Sequence, residues 1–211
     1  MIASVIDDPR YRPGWFHVGE YALYAPPKTG FTSLKLNLGE SCLHGSRVPS
    51  DLKLIIGLRD PLERFVSQYN MLVLSGWVLN HPNPIKTTFD PDWVEEWFDP
   101  ELALKDPVGS ARRWLQSAFP VLESWGGDHH AISQHRSIRS LLGRARIGTV
   151  EYINHRTWED WFRLHLDREY VHHNRSYYVV PKHYFSSLKD IIQLTHLQDY
   201  QLIQQTGINN I

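Results

Sequence analysis

Residues 21–38, YALYAPPKTGFTSLKLNL, decide how the fold is read. Tyr21 to Ala25 is short, apolar and aromatic and runs into Pro26-Pro27, which predicts a buried strand ending in a loop. That loop is PPKTGFTS. Behind it, Thr32 to Leu38 predicts a short helix with Leu34, Leu36 and Leu38 available for burial and Gly39 as its stop. A second unit of the same kind follows. Leu52 to Leu58 (LKLIIGL) is nearly all apolar, as a strand covered on both faces requires, and it stops at Arg59. Asp60 as N-cap, Pro61 at the first helical position and Glu63 in capping-box register then open a helix. Its apolar face is Leu62, Phe65, Val66, Tyr69, Leu72 and Val73. Strands alternating with helices predict an α/β fold, a parallel sheet flanked by helices, with ligands collecting at the carboxyl ends of the strands. Both PPKTGFTS and Arg59-Asp60-Pro61 fall there.

The rest of the chain adds elements around this pair. Residues 75–107 are rich in Pro, Asn, Asp and Trp and predict an irregular excursion with a short helix, a place where substrate specificity is often carried. Ser110 to Phe119 and Arg156 to Leu166 predict helices, and Arg146 to Ile153 another strand. A last helix is expected from Ser187 to about Gln205, opened by Ser187 with Asp190 three residues on. There is no internal repeat, and 211 residues fit a single domain, with residues 1–19 as an N-terminal extension.

Charge and cysteine usage exclude several functions. A formal charge of −1 is far from the basic excess of a general nucleic-acid binder, so any anion site must be local. Cys42 is the only cysteine, which rules out an intramolecular disulfide and makes a reducing cytoplasm the expected compartment. The first twenty residues carry acids and prolines in place of a signal peptide's apolar core, and no stretch reaches the ~18 consecutive apolar residues of a bilayer span.

A phosphate-binding turn needs backbone N–H groups aimed at one point, a residue permissive of positive φ, and a helix N-terminus behind it. PPKTGFTS offers Gly30 for the turn, N–H groups of Thr29, Phe31 and Thr32, hydroxyls of Thr32 and Ser33, and the charge of Lys28. The lysine precedes the glycine, unlike the order G-x-x-x-x-G-K-[ST], which argues against an ATP or GTP hydrolase. Arg59 brings a planar fork of donors suited to phosphate oxygens, and Ser67, two helical turns along the next helix, adds a hydroxyl. Each has a plain reading too: a solvated turn, and a capped helix in which Asp60, Pro61 and Arg64 are structural.

PPKTGFTSL followed by RDPLERFVSQY resembles the two cofactor signatures of the sulfotransferases that use 3′-phosphoadenosine 5′-phosphosulfate (PAPS), particularly the Golgi carbohydrate type. The resemblance implies a sulfotransferase fold with a P-loop-like sheet. It also implies that Lys28, Thr29, Gly30, Thr32 and Ser33 hold the 5′-phosphosulfate and that Arg59 and Ser67 hold the 3′-phosphate. Downstream, Asp128 to Gln134 (DHHAISQ) is similar to the family's D-x-H-x-x-x-Q stretch, and Val150-Glu151 to the V/I-E ending a later strand. Asn174-Arg175-Ser176 is similar to its N-x-S element, which brings Asn174 and Ser176 to the cofactor, and Asp199 to Leu202 to part of its C-terminal helix. A missing membrane anchor and missing paired cysteines separate the chain from the Golgi enzymes and point to a soluble prokaryotic or viral relative.

Sulfuryl transfer needs in-line placement and stabilisation of charge on the departing oxygen, for which Lys28 is the expected group. The acceptor hydroxyl needs a base. Among twelve histidines His130 and then His44 are the candidates, with Glu40 behind them; His172 and His173 are expected to line or support the cofactor pocket. No metal site is expected, since His129, His130 and His135 lack an H-E-x-x-H pattern and no cysteine pair assists. A glycan hydroxyl is the expected acceptor, with lipid, peptide tyrosine or small metabolite open. A non-catalytic nucleotide- or glycan-binding module and a small-molecule kinase remain the alternative functions.

Overall fold

The computed structural model describes residues 14–39, 42–44, 47–128, 130–145, 148–172 and 179–208. They sort into two compact units. A sheet unit holds the described residues up to Asp60, those from Gln134 to His172 and those from Gln201 on; a helical unit holds those from Pro61 to Ser133 and from Val179 to Tyr200.

The sheet unit contains β1 (Gly14–Val18), β2 (Tyr21–Tyr24), β3 (Cys42–His44), β4 (Lys53–Leu58) and β5 (Val150–Asn154) in the order β3-β1-β2-β4-β5. β2, β4 and β5 run parallel, with Tyr24 opposite Ile56 and Leu58 opposite Asn154. The expectation of a wholly parallel sheet is corrected at one edge. β1 runs antiparallel to both β2 and β3, which makes the sheet mixed. Residues 14–18, expected to be part of an extension, bury Trp15 and Phe16 on opposite faces.

Alternation along β4 divides the core. Leu54, Ile56 and Leu58 face Trp15, Tyr24, Ile138 and Leu141 on one side of the sheet. Ile55 faces Phe16, Leu23, Leu34, Trp158 and Phe162 on the other. Helices thus cover both faces: Gln134–Leu142 on the first, α1 (Phe31–Leu38) and Trp158–Leu166 on the second. Leu34 is fully buried and Leu38 half-buried, but Leu36 is exposed, because one face of an eight-residue helix cannot turn all three leucines inward.

The helical unit begins with α2 (Pro61–Tyr69), which runs into a π-helical turn over Asn70–Leu74. Phe65, Val66, Tyr69, Leu72 and Val73 are all buried, as the spacing predicts. Residues 75–107 are far more regular than expected. They form four short helices, Trp77–Asn80, Pro84–Thr88, Pro91–Phe98 and Pro100–Lys105. Proline at the first turn and a capping Asn83, Asp90 or Asp99 start three of them, so the residues that signal irregularity serve here as helix starts. Trp93 and Trp97 pack on the core of this unit. The last helical stretch is divided: a 3₁₀ turn over Lys182–Leu188, then Lys189–Thr195 and Leu197–Thr206, with Ser187 inside the 3₁₀ turn in place of a cap. Glu63 pairs with Lys182, and Arg64, expected near Glu63 or solvent, is fully buried with its guanidinium on the Ile132 carbonyl.

Candidate functional site

β2 and β4 are neighbouring parallel strands, so the segments that leave their carboxyl ends emerge about 5 Å apart. The segment after β2 is the Lys28–Ser33 loop. Its turn is closed from inside: the Thr29 N–H donates to the Pro26 carbonyl at 3.0 Å and the Thr29 hydroxyl to the same oxygen at 2.5 Å. Thr29 is fully buried, so it shapes the turn and its N–H, expected to face a ligand, is used within the protein. Lys28 takes a left-handed φ of 67° and Gly30 a φ of 111°, which aims the chain into α1. The first intrahelical bond runs from the Leu34 N–H to the Gly30 carbonyl. The N–H groups of Phe31 and Thr32 therefore stand in the first turn of α1, where the helix itself gives them no carbonyl partner. Two such groups, the helix dipole and the Lys28 charge fall on one loop, which is the chemistry an anion cradle needs.

The segment after β4 starts with Arg59, whose guanidinium Nη1 donates to the Lys28 carbonyl at 2.9 Å. The two segments picked out in the sequence are therefore in direct contact. Arg59 is itself held: its N–H donates to Gln134 Oε1 at 2.9 Å and its carbonyl accepts from Gln134 Nε2 at 2.7 Å.

Beneath the loop lies an aromatic floor that the sequence reading missed. Trp158 is fully buried against Gly57 of β4, and the indole Cδ1 and Nε1 lie 3.7 Å from where a β-carbon on Gly30 would stand. The Trp158 Nε1–H has no acceptor among the described residues. Tyr170 sits beside it, its hydroxyl 3.8 Å from the same point and close to Ser33; burial pushes its pKa up to about 12. The signal that could have found this close approach is the lone Gly57 inside an apolar strand.

In the helical unit Ser67 is buried on α2, about 9 Å along the helix from Pro61. His130 is held in a short turn by Asp128: the carboxylate Oδ1 accepts from the His130 N–H at 2.7 Å and lies 3.2 Å from its Nδ1. Gln68 fixes the same turn by donating to the His130 carbonyl at 2.7 Å. An ionised carboxylate only accepts, so the contact favours a ring oriented with Nδ1–H toward Asp128. The ring packs on Trp77, with centroids 5.6 Å apart, and Trp77 stacks on the exposed His81. Asp128 was noted in the sequence only as part of a likeness; its aim at His130 is a finding of the structure.

His44 is the last residue of β3, paired with Gly14 of β1 at the sheet edge, with β1 between it and β2. His172 is exposed, with its ring against Tyr170. Glu40, His129, His173, Asn174 and Ser176 lie outside the described residues. Among the described residues no group of three or more His, Cys, Asp or Glu side chains could hold a metal ion, and no helix is long and apolar enough to cross a membrane. Comparison of the chain with protein-family models, curated proteins and solved structures finds no match.

Proposed function

We propose that the chain is a sulfotransferase that moves a sulfuryl group from PAPS to an acceptor hydroxyl, with a carbohydrate as the acceptor class. The observation that carries this reading is the Arg59 guanidinium on the Lys28 carbonyl, which joins two anion-seeking segments at the carboxyl ends of neighbouring parallel strands. A lone KTG turn or a lone capped helix would not require that contact. On this reading the sheet follows the sulfotransferase fold in its parallel β2-β4-β5 part.

The N–H groups of Phe31 and Thr32, with the Thr32 hydroxyl, hold the 5′-phosphosulfate over Gly30. Arg59 serves the 3′-phosphate; Ser67, Asn174 and Ser176 are assigned to the cofactor by the resemblance alone. Lys28 neutralises the bridging oxygen as the sulfur–oxygen bond breaks, a contact that strengthens in the transition state and so accelerates transfer. His130, whose ring Asp128 orients at Nδ1, is the proposed base that takes the acceptor proton as the new sulfur–oxygen bond forms.

The test is calorimetric titration with adenosine 3′,5′-bisphosphate and with ATP plus magnesium, followed by incubation of sulfate-labelled PAPS with glycan, lipid and phenolic acceptors. Tight bisphosphate binding with label transfer to a glycan is the expected result. Binding without transfer to any acceptor would assign a non-catalytic nucleotide module, and preference for ATP plus magnesium a kinase.

A further inference from the structure

We propose that Gln134 is a positioning residue for Arg59. The side chain is fully buried, and both poles of its amide are used on one residue, the oxygen on the Arg59 N–H and the nitrogen on the Arg59 carbonyl. Those backbone groups lie just past the last residue of β4, where the ladder to β5 has ended at Leu58 and Asn154. A primary amide presents one donor and one acceptor in a plane, as a peptide group does, so Gln134 extends the sheet by one residue and fixes the direction in which Arg59 leaves it.

The helix that begins at Gln134 is itself tied to the other arm of the cradle. One turn on, the Ser137 hydroxyl meets the Tyr24 hydroxyl at 2.5 Å, and Tyr24 is the last residue of β2. Ile138 and Leu141 seat the same helix on Leu54, Ile56 and Leu58. A single helix thereby contacts both strand ends, and it holds the Arg59 backbone through the Gln134 amide. Glutamate in its place would offer two acceptors and no donor, leaving the Arg59 carbonyl facing a negative charge.

This inference rests on Arg59 serving the 3′-phosphate, and the experiment separates the two. Affinities for adenosine 3′,5′-bisphosphate and for AMP are measured on the wild type, Arg59→Ala, Gln134→Ala, Gln134→Glu and the Arg59→Ala/Gln134→Ala double variant. The wild type is expected to prefer the bisphosphate, and Arg59→Ala to lose that preference. Gln134→Ala and Gln134→Glu should reduce it by roughly 10-fold, the scale of one broken buried hydrogen bond, with AMP affinity unchanged. The double variant should lose no more than Arg59→Ala alone. A wild-type preference retained in both Gln134 variants, or a loss that adds to that of Arg59→Ala, overturns the positioning role. Should Gln134→Ala fail to fold, Gln134→Glu, of equal size, decides alone. A wild type indifferent to the 3′-phosphate overturns the role of Arg59 instead; amide exchange at Arg59, expected to be faster in the Gln134 variants, then reads the bracket directly, and unchanged exchange removes it.

Discussion

A β-carbon built on Gly57 would lie 2.8 Å from Cζ2 and Nε1 of Trp158, so the indole occupies the space beside β4 that any other residue would claim for its own side chain. Gly57→Ala should therefore destabilise the protein by about 1–3 kcal/mol, the cost of overpacking a filled core. Urea titration gives the value. Pairing it with Trp158→Leu should recover part of the loss, since the two changes share one space; strictly additive losses would place the strain elsewhere.

Lys28 separates stability from turnover. Its left-handed φ of 67° costs any residue with a β-carbon about 1 kcal/mol that glycine escapes. Lys28→Gly is expected to melt higher than Lys28→Ala, and both to lose turnover by roughly 10² or more, the scale for removing one transition-state donor. A folded Lys28→Ala protein with near-normal turnover would remove the ammonium from the proposed mechanism.

His130 and Asp128 should fail in different ways. His130→Ala is expected to cut turnover by roughly 10² or more, as loss of a general base does, and to flatten the acid limb of the pH–rate profile. Asp128→Asn keeps the size but can donate to Nδ1, freeing the ring to take the other tautomer, so an intermediate loss is expected. Identical pH profiles in wild type and His130→Ala would pass the role to His44 or another base.

The buried ring of His196 predicts acid sensitivity. It stacks on Phe119 at a centroid distance of 4.5 Å, and burial, with the Arg64 charge, pushes its pKa down to about 3. The unfolded chain takes up a proton near pH 6.5 that the folded chain refuses until about pH 3, so stability falls as pH drops through that window. The slope attributable to one proton is at most about 1.4 kcal/mol per pH unit. His196→Phe removes this proton and should flatten stability between pH 6.5 and 4 in urea titrations; an unchanged slope would clear His196.

Two further amides repeat the Gln134 device. Asn37 accepts from the Val171 N–H and donates to its carbonyl, each at 2.8 Å, and Asn70 does the same to Val180 at 3.0 and 3.4 Å. The Asn70 pair is buried and the Asn37 pair is partly exposed, so Asn70→Ala should cost about 2–4 kcal/mol for two stranded backbone groups and Asn37→Ala clearly less. Equal losses would mean that burial does not set the price.

The central strands, the Lys28–Ser33 loop, α2 and its buried face were legible because each rests on a local signal: an apolar run, a glycine turn, an Asp-Pro start. β1 and β3 were not, since runs of five and three residues carry no period long enough to separate strand from loop. The helices of residues 75–107 were hidden by their own starts, because Asp-Pro and Asn-Pro mark turns and helix N-termini alike. At the site, Lys28 and Arg59 could be named from residue chemistry. Gln134, Trp158 and Tyr170 could not, because they act through neighbours that are distant in sequence.

The sheet unit is assembled from pieces of chain on either side of the helical one, and β4 waits for β5 across the whole of residues 59–149. During synthesis from the amino end, the free edge of β4 is complete long before its partner leaves the ribosome. Until then a row of unpaired backbone groups on an apolar strand is open to neighbouring chains. Yield in expression should consequently respond to translation speed over residues 59–149 and to chaperones that shield strand edges.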